Sequence, residues 1–294
     1  QLNNGPDAPD LDIVELDREL VLVLSNDLLS NNYREGYSEV DLKFDTEQGD
    51  SGDSLYSFEG YRVYQVRYPT VGPEDLNDPT LARPAFQVDV KNGVTQIVNW
   101  NAIPNPYVPT ENLYEPDVKV IGADQGVQKA FSITRDLFAT GQDARLINHR
   151  EYYYTAVAYG FNEWAQFNPA QGEGSGQTQA YIQGRRNIKN YTGVPRPIED
   201  RSLNAAYGSG PQVVRLDGKG NQSNFLKIVN ELEVYNSILD GSFDGTIQYE
   251  REAGPLDVIV YNPIDVVDGE YNLFMIDDNM SDDELSADQD ARWY

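Results

Sequence analysis

Apolar and polar positions alternate with a period of two along much of this chain, and the apolar ones are largely aromatic or β-branched. The clearest case is Arg150 to Asn162, REYYYTAVAYGFN. Tyr152, Tyr154, Ala156 and Ala158 form one set and Tyr153, Thr155, Val157 and Tyr159 the other, with no Gly or Pro before Gly160. That pattern predicts a central strand with both faces covered, because a helix would scatter the four tyrosines around its circumference. Leu11 to Ser25 splits at Asp17-Arg18-Glu19 into two apolar runs, which predicts two strands joined by a short turn. Phe58 to Tyr68 predicts a further strand, and Phe86 to Lys91 with Val94 to Trp100 a hairpin about Asn92-Gly93, the dipeptide preferred in type I′ turns.

Other stretches break the alternation. Residues 26–57 are rich in Asn, Ser, Gly and Asp and read as a long solvated loop. Pro104, Pro106, Pro109 and Pro116 exclude a central strand over 101–116. Val127 to Thr134 predicts a strand, Arg135 to Thr140 a helical turn ended by Gly141, and Gln179 to Ile188 a last strand of the first half. Asn190 to Pro197 (NYTGVPRP) reads as a linker. Beyond it, strands are expected at 211–216, 224–234, 244–250, 256–261 and 270–276, with no long helix. The expectation is an all-β protein of two sandwich-like domains, 1–190 and 191–294.

Composition narrows the partners. Lys and Arg number 22 against 48 Asp and Glu, a net charge of −26, so nucleic acid, whose phosphates require cationic patches, and anionic membranes, which this charge repels, are not expected as partners. There is no cysteine, which removes disulfides, thiolate metal sites and cysteine nucleophiles. No apolar run reaches 18 residues, so no membrane-inserted helix is expected. The start, QLNNGPDAPD, has neither a basic nor an apolar leader region, which implies a removed signal or a longer polypeptide.

Residues 1–190 resemble a fibronectin type III domain with long insertions. The likeness rests on Pro6 to Pro9 (PDAP), on FEGYRVYQ as the third strand, and on Leu146 spaced six residues before Tyr152, with Ala158 six further on. It implies an immunoglobulin-like sandwich in which Tyr152 bonds back to the backbone at a corner. The second strand, ELVLVLS, lacks the tryptophan common in type III cores. FEGYRVYQ, FSITRDLFATG, YYYTAVAY, DGKGN and GPLDVIVYNP together resemble large secreted surface proteins of the type IX secretion kind. That likeness implies a bacterial location outside the cell or on its surface, and a role as spacer or interaction surface.

Catalytic chemistry has little support. His149 is the only histidine, it adjoins the tyrosine strand, and no Gly-x-Ser-x-Gly elbow accompanies it. With 48 acids, a carboxylate pair of the glycosidase type would arise by chance, so no catalytic residue is assigned. Calcium is the better chemical candidate: Asp277, Asn279, Ser281, Asp283 and Asp288 occupy positions 1, 3, 5, 7 and 12 of an EF-hand-like loop, although Asp282 stands where that loop needs Gly. A weaker candidate is Asp217-Gly-Lys-Gly-Asn221; a solvated acidic turn is the alternative for both. Trp100, Tyr107 and Tyr114 flank the proline-rich loop and form a candidate sugar-stacking platform, against the alternatives of core filling and interface. The functional expectation is a non-catalytic structural or adhesive segment of an exported surface protein or filament, contacting other subunits or neighbouring domains through sheet edges and loops. The alternative is a carbohydrate-binding module.

Overall fold

The computed structural model describes residues 3–44, 54–108, 110–172, 174–198, 205–210, 213–215, 227–243, 247–250, 256, 258–273, 275–276 and 292–293. Among the described residues the chain is built of antiparallel sheets with one short α-helix, and it divides into two compact units, Gln1–Arg201 and Ser202–Tyr294.

In the first unit the strands are β1 (Asp10–Leu16), β2 (Glu19–Ser25), β3 (Ser38–Val40), β4 (Leu55–Val66), β5 (Ala82–Asp89), β6 (Gln96–Pro104), β7 (Asn112–Ile121), β8 (Ala130–Ile133), β9 (Tyr152–Phe161), β10 (Tyr181–Gln183) and β11 (Asn190–Gly193). β1, β2 and β8 form one sheet. A second sheet runs β10-β9-β4-β3, with β5 also on β4 and β11 also on β9. β6 and β7 form a separate two-stranded sheet, with a single bridge from Asn99 to Gln179.

The tyrosine stretch is the central strand that its alternation predicts. β9 pairs with β4 along its length on one side and with β11 and β10 on the other. Its Tyr152, Tyr154, Ala156 and Ala158 face join Leu20, Leu22 and Leu24 of β2 and Tyr61 and Val63 of β4 in the main core, so the two sheets share one sandwich-like interior. On the opposite face Val157 packs with Tyr64, Val66 and Leu76, and Tyr159 with Ile97, Val120 and Ala180. Burial of these apolar surfaces is the main favourable term.

The Asp17-Arg18 turn joins β1 to β2, with Leu16 opposite Glu19. Asn148 holds it, accepting the Arg18 N–H and donating to Asp17 Oδ1. At the far side of the unit, β1 lies alongside the segment that leads into and out of β11. The Ala8 N–H donates to the Arg186 carbonyl and the Arg196 N–H to the Leu16 carbonyl, each at 3.0 Å. Between them Asp10 collects Asn187, Lys189 and Tyr191, and Glu15 collects the Val194 N–H and the Arg196 guanidinium.

Several expectations are corrected. Residues 26–57 are not one loop: β3 lies there, β4 begins at Leu55, and Asn32 and Tyr37 are buried. The Asn92-Gly93 turn closes no hairpin, since β5 pairs with β4 while β6 pairs with β7. Arg135 to Thr140 forms no helix; Asp136 accepts the Phe138 N–H in a turn. Tyr181–Gln183 is all that forms of the strand expected over 179–188. The expected linker contributes β11, whose Asn190 also bonds Thr155 of β9 and the carbonyls of Pro69 and Val71.

The second unit contains β12 (Val214–Arg215), α1 (Glu231–Asp240), β13 (Ile247–Gln248), β14 (Met275–Ile276) and β15 (Arg292–Trp293). β12 pairs with β13 and β14 with β15. The helix replaces part of the strand expected over 224–234. Leu232, Tyr235 and Leu239 recur at helical spacing and Gly241, at φ +78°, ends it, as glycine does after many helices.

Tyr152 is buried and its phenol oxygen accepts the Ile147 N–H at 2.9 Å. Replacing it by Phe leaves that N–H without its acceptor. Tyr152→Phe is therefore expected to lower stability by about 1 kcal/mol in urea unfolding, and an unchanged midpoint would remove the bond from the account.

Candidate functional site

The most unusual chemistry of the first unit arises from an irregularity in β4. The β4–β9 register slips between Phe58 and Gly60, so that Phe58 faces Gly160 and Gly60 faces Tyr159. Glu59 is the extra residue of a β-bulge, a device that re-aims a side chain. Gly60 is required beside it, because a Cβ there would run into the Val88 carbonyl and the Tyr159 phenol.

Glu59 is 1% exposed. Its Oε2 accepts from Asn92 Nδ2 at 2.8 Å, and its Oε1 is buried with no hydrogen-bond partner. Asp89, the last residue of β5, is also buried and accepts the Asp124 N–H at 3.1 Å. Asp124 in turn accepts the N–H groups of Asn92 and Gly93 at 2.8 and 2.9 Å through Oδ1. Gly122 lets the chain pass this close, since a Cβ would meet Asp89 Oδ2. Among the described residues no cation forms an ion pair with Glu59, Asp89 or Asp124. Burial, reinforced by the like charges of Asp89 and Asp124 against the bond from Asn92, pushes the Glu59 carboxyl up to about 7.

These bonds explain the failed hairpin. Asn92 and Gly93 give their N–H groups to a carboxylate more than thirty residues away, and only Gly93 has positive φ. The chain turns away from β5 and enters a separate two-stranded arm, β6–β7.

The arm is rooted in the body and free at its end. At the root, Ile97 and Val120 are buried against Tyr159 and Ala180, and the Gly122 N–H donates to the Thr95 carbonyl. Asn99 exchanges hydrogen bonds with Tyr181, and the Trp100 N–H donates to the Thr178 carbonyl at 2.8 Å. On the other edge Arg62 and Gln87 donate to the carbonyls of Lys119 and Ile121. Beyond Trp100 every residue of β6, Asn101 to Pro104, is exposed, as are Asn112 and Leu113 opposite. Successive strand residues point to opposite faces, so water reaches both faces of the outer arm.

Of the predicted platform residues, Trp100 and Tyr114 meet on Phe167, at ring-centroid distances of 5.4 and 4.8 Å. Tyr107 is apart from them, 91% exposed at the arm's tip. Phe167 had no distinguishing signal in its loop. A groove of about 500 Å³ beside β10, lined by Tyr56, Tyr181, Gln179, Gln183, Lys43 and Arg185, was equally invisible in the sequence. His149 is exposed with φ +65°, its N–H bonded to the Pro195 carbonyl. Leu146 and Ala158 are core residues. The candidate calcium ligands Asp277, Asn279, Ser281, Asp283 and Asp288 lie outside the described residues, as does 217–221. Among the described residues no three acidic or imidazole side chains are placed to hold a metal ion, and none of the described helices is long and apolar enough to cross a membrane.

Comparison with family models, curated protein sequences and solved structures gives no match for this chain.

The Glu59 carboxyl sits higher in the folded chain than in the unfolded one, so folding favours its protonated form. The resulting stabilisation is complete below about pH 4.5, the ordinary glutamate value, and is lost as pH rises through about 7. Glu59→Gln, which keeps the acceptor for Asn92, is expected to raise the melting temperature at pH 8 and not at pH 4. The gain has an upper bound of about 3 kcal/mol. Equal stability of the two proteins at pH 8 would show that Glu59 carries no buried-charge cost.

Proposed function

We propose that this chain is a non-catalytic structural or adhesive segment of an exported bacterial surface protein or filament, and that it contacts neighbouring protein subunits through the β6–β7 arm. The observation that carries this reading is the open outer edge of β6. Trp100 gives its N–H outward to Thr178, and Pro116, which has none, sits opposite it. In an antiparallel ladder Ala102 then turns its N–H and C=O to the same outer edge, beyond the last body contact. Ile103, Tyr107, Val108 and Leu113 are exposed around that edge. A lone two-stranded ribbon is marginal in water, and an extended segment of a neighbouring chain would complete it as a third strand. The type III and type IX likenesses and the acidic composition support placing such an arm on an exported surface protein.

The test replaces residues 102–114 by Asn-Gly, which joins the paired Asn101 and Glu115 in a tight turn. In analytical ultracentrifugation and cross-linking of the native assembly, the intact chain is expected to associate with protein partners and the shortened one to stay monomeric while retaining a cooperative unfolding transition. An intact chain that is monomeric and captures no protein would overturn the reading.

The Trp100–Phe167–Tyr114 cluster favours a second reading, a carbohydrate-binding module that stacks sugars on the half-buried rings of Trp100 and Tyr114, backed by the buried Phe167. Glycan-array binding lost in Trp100→Ala would establish it, and an array blank for the intact chain would dismiss it.

A further inference from the structure

We propose that the hinge of the β6–β7 arm is a proton-responsive pivot, seated when Glu59 is protonated and loosened when it ionises. The geometry is specific to the arm. The chain enters it through Asn92-Gly93 and leaves it through Gly122 to Asp124, and both crossings are tied at one place: Asn92 and Gly93 to Asp124, Asp124 to Asp89, Asn92 to Glu59. Glu59 is therefore the group of the body sheet on which the entry crossing rests, and the bulge holds it there.

The groups that face Glu59 make its charge costly in this position. Asp89 comes from β5 and Asp124 from the segment after β7, both acidic. From β9 the Tyr159 phenol approaches, a weak donor that lies 3.4 Å from the Val88 carbonyl. On β4 itself, Arg62 is engaged with Gln87, Tyr64 and the Lys119 carbonyl. Lys91 is exposed and forms no ion pair among the described residues. An ionised Glu59 thus puts a second wholly buried negative charge beside Asp89 and in the field of Asp124. The low-stability way to separate them is to release Asn92 and Asp124, which are the arm's crossings, rather than to part β4 from β9. Protonation removes the repulsion and leaves Oε2 free to keep its bond from Asn92.

The inference depends on the arm's root and not on what the arm binds. Hydrogen–deuterium exchange of the full chain between pH 5.5 and 8.5, corrected for intrinsic exchange, tests it. Peptides covering 92–98 and 120–126 are expected to lose about tenfold in protection as pH rises through about 7, while β2, β4 and β9 keep theirs. Glu59→Gln is expected to abolish the loss, and Asp89→Asn, which removes a neighbouring like charge, to move its midpoint to lower pH and make it smaller. A loss that persists in Glu59→Gln, that spreads equally over the central strands, or that is absent from the intact chain overturns the proposal. Should Glu59→Gln fail to fold, an Asp89→Asn response identical to the parent's overturns it equally. A pH response in a chain that binds no protein would fail the function proposed above and leave this inference standing, and the reverse result would do the opposite.

Discussion

The pairing of β4 with β9 is the interaction on which the rest of the first unit depends. These two strands lie at the centre of the larger sheet, and each supports a different core on each face. Toward the smaller sheet their tyrosines, valines and alanines meet the leucines of β2. On the other side Val157 and Tyr64 anchor the loop that carries Val71 and Leu76, and Tyr159 anchors the root of the arm. Tyr61 shows how the polar tips of such side chains are accommodated: its buried phenol donates to Glu35 and accepts from Asn26 and Asn32. Large aromatic residues can fill this interior because each hydroxyl that reaches a partner avoids the cost of a lost hydrogen bond.

One defect in that pairing generates the candidate site. A regular register would place Glu59 in an ordinary ladder position. The bulge instead turns it into the interior beside Asp89, and the balance there is between buried like charge and a small set of donors: the side chain of Asn92 and the backbone N–H groups of Asn92, Gly93 and Asp124. The site and the arm are consequently one feature, since the donors that compensate the carboxylates are the residues through which the arm is attached.

What was legible in the sequence followed from local alternation. β1, β2 and β9 could be read because each has an apolar face of period two and a recognisable turn or break beside it. Asn92-Gly93 carried the strongest hairpin signal and misled, because its N–H groups are claimed by Asp124, a partner that no local window contains. Glu59 sits in FEGYR as an unremarkable polar position; its burial comes from a register slip between strands about a hundred residues apart. β11 looked like a linker because it is short and followed by prolines, and its strand character comes from pairing with β9. In α1 the helical spacing of Leu232, Tyr235 and Leu239 was present but lay next to residues with strand-like texture.

The closure of the first unit between β1 and β11 has a mechanical meaning. The bonds run Ala8 to Arg186, Asp10 to Tyr191, Glu15 to Val194 and Leu16 to Arg196, so the two segments point the same way and are joined side by side. Tension applied between the leading residues before Asp10 and the segment after Arg196 pulls these neighbours lengthwise past each other. In that direction the cross-links share the load in shear and must yield together, whereas a hairpin pulled from its open end peels apart one bond at a time. A unit closed in this way resists tension between those two ends while its core stays shut.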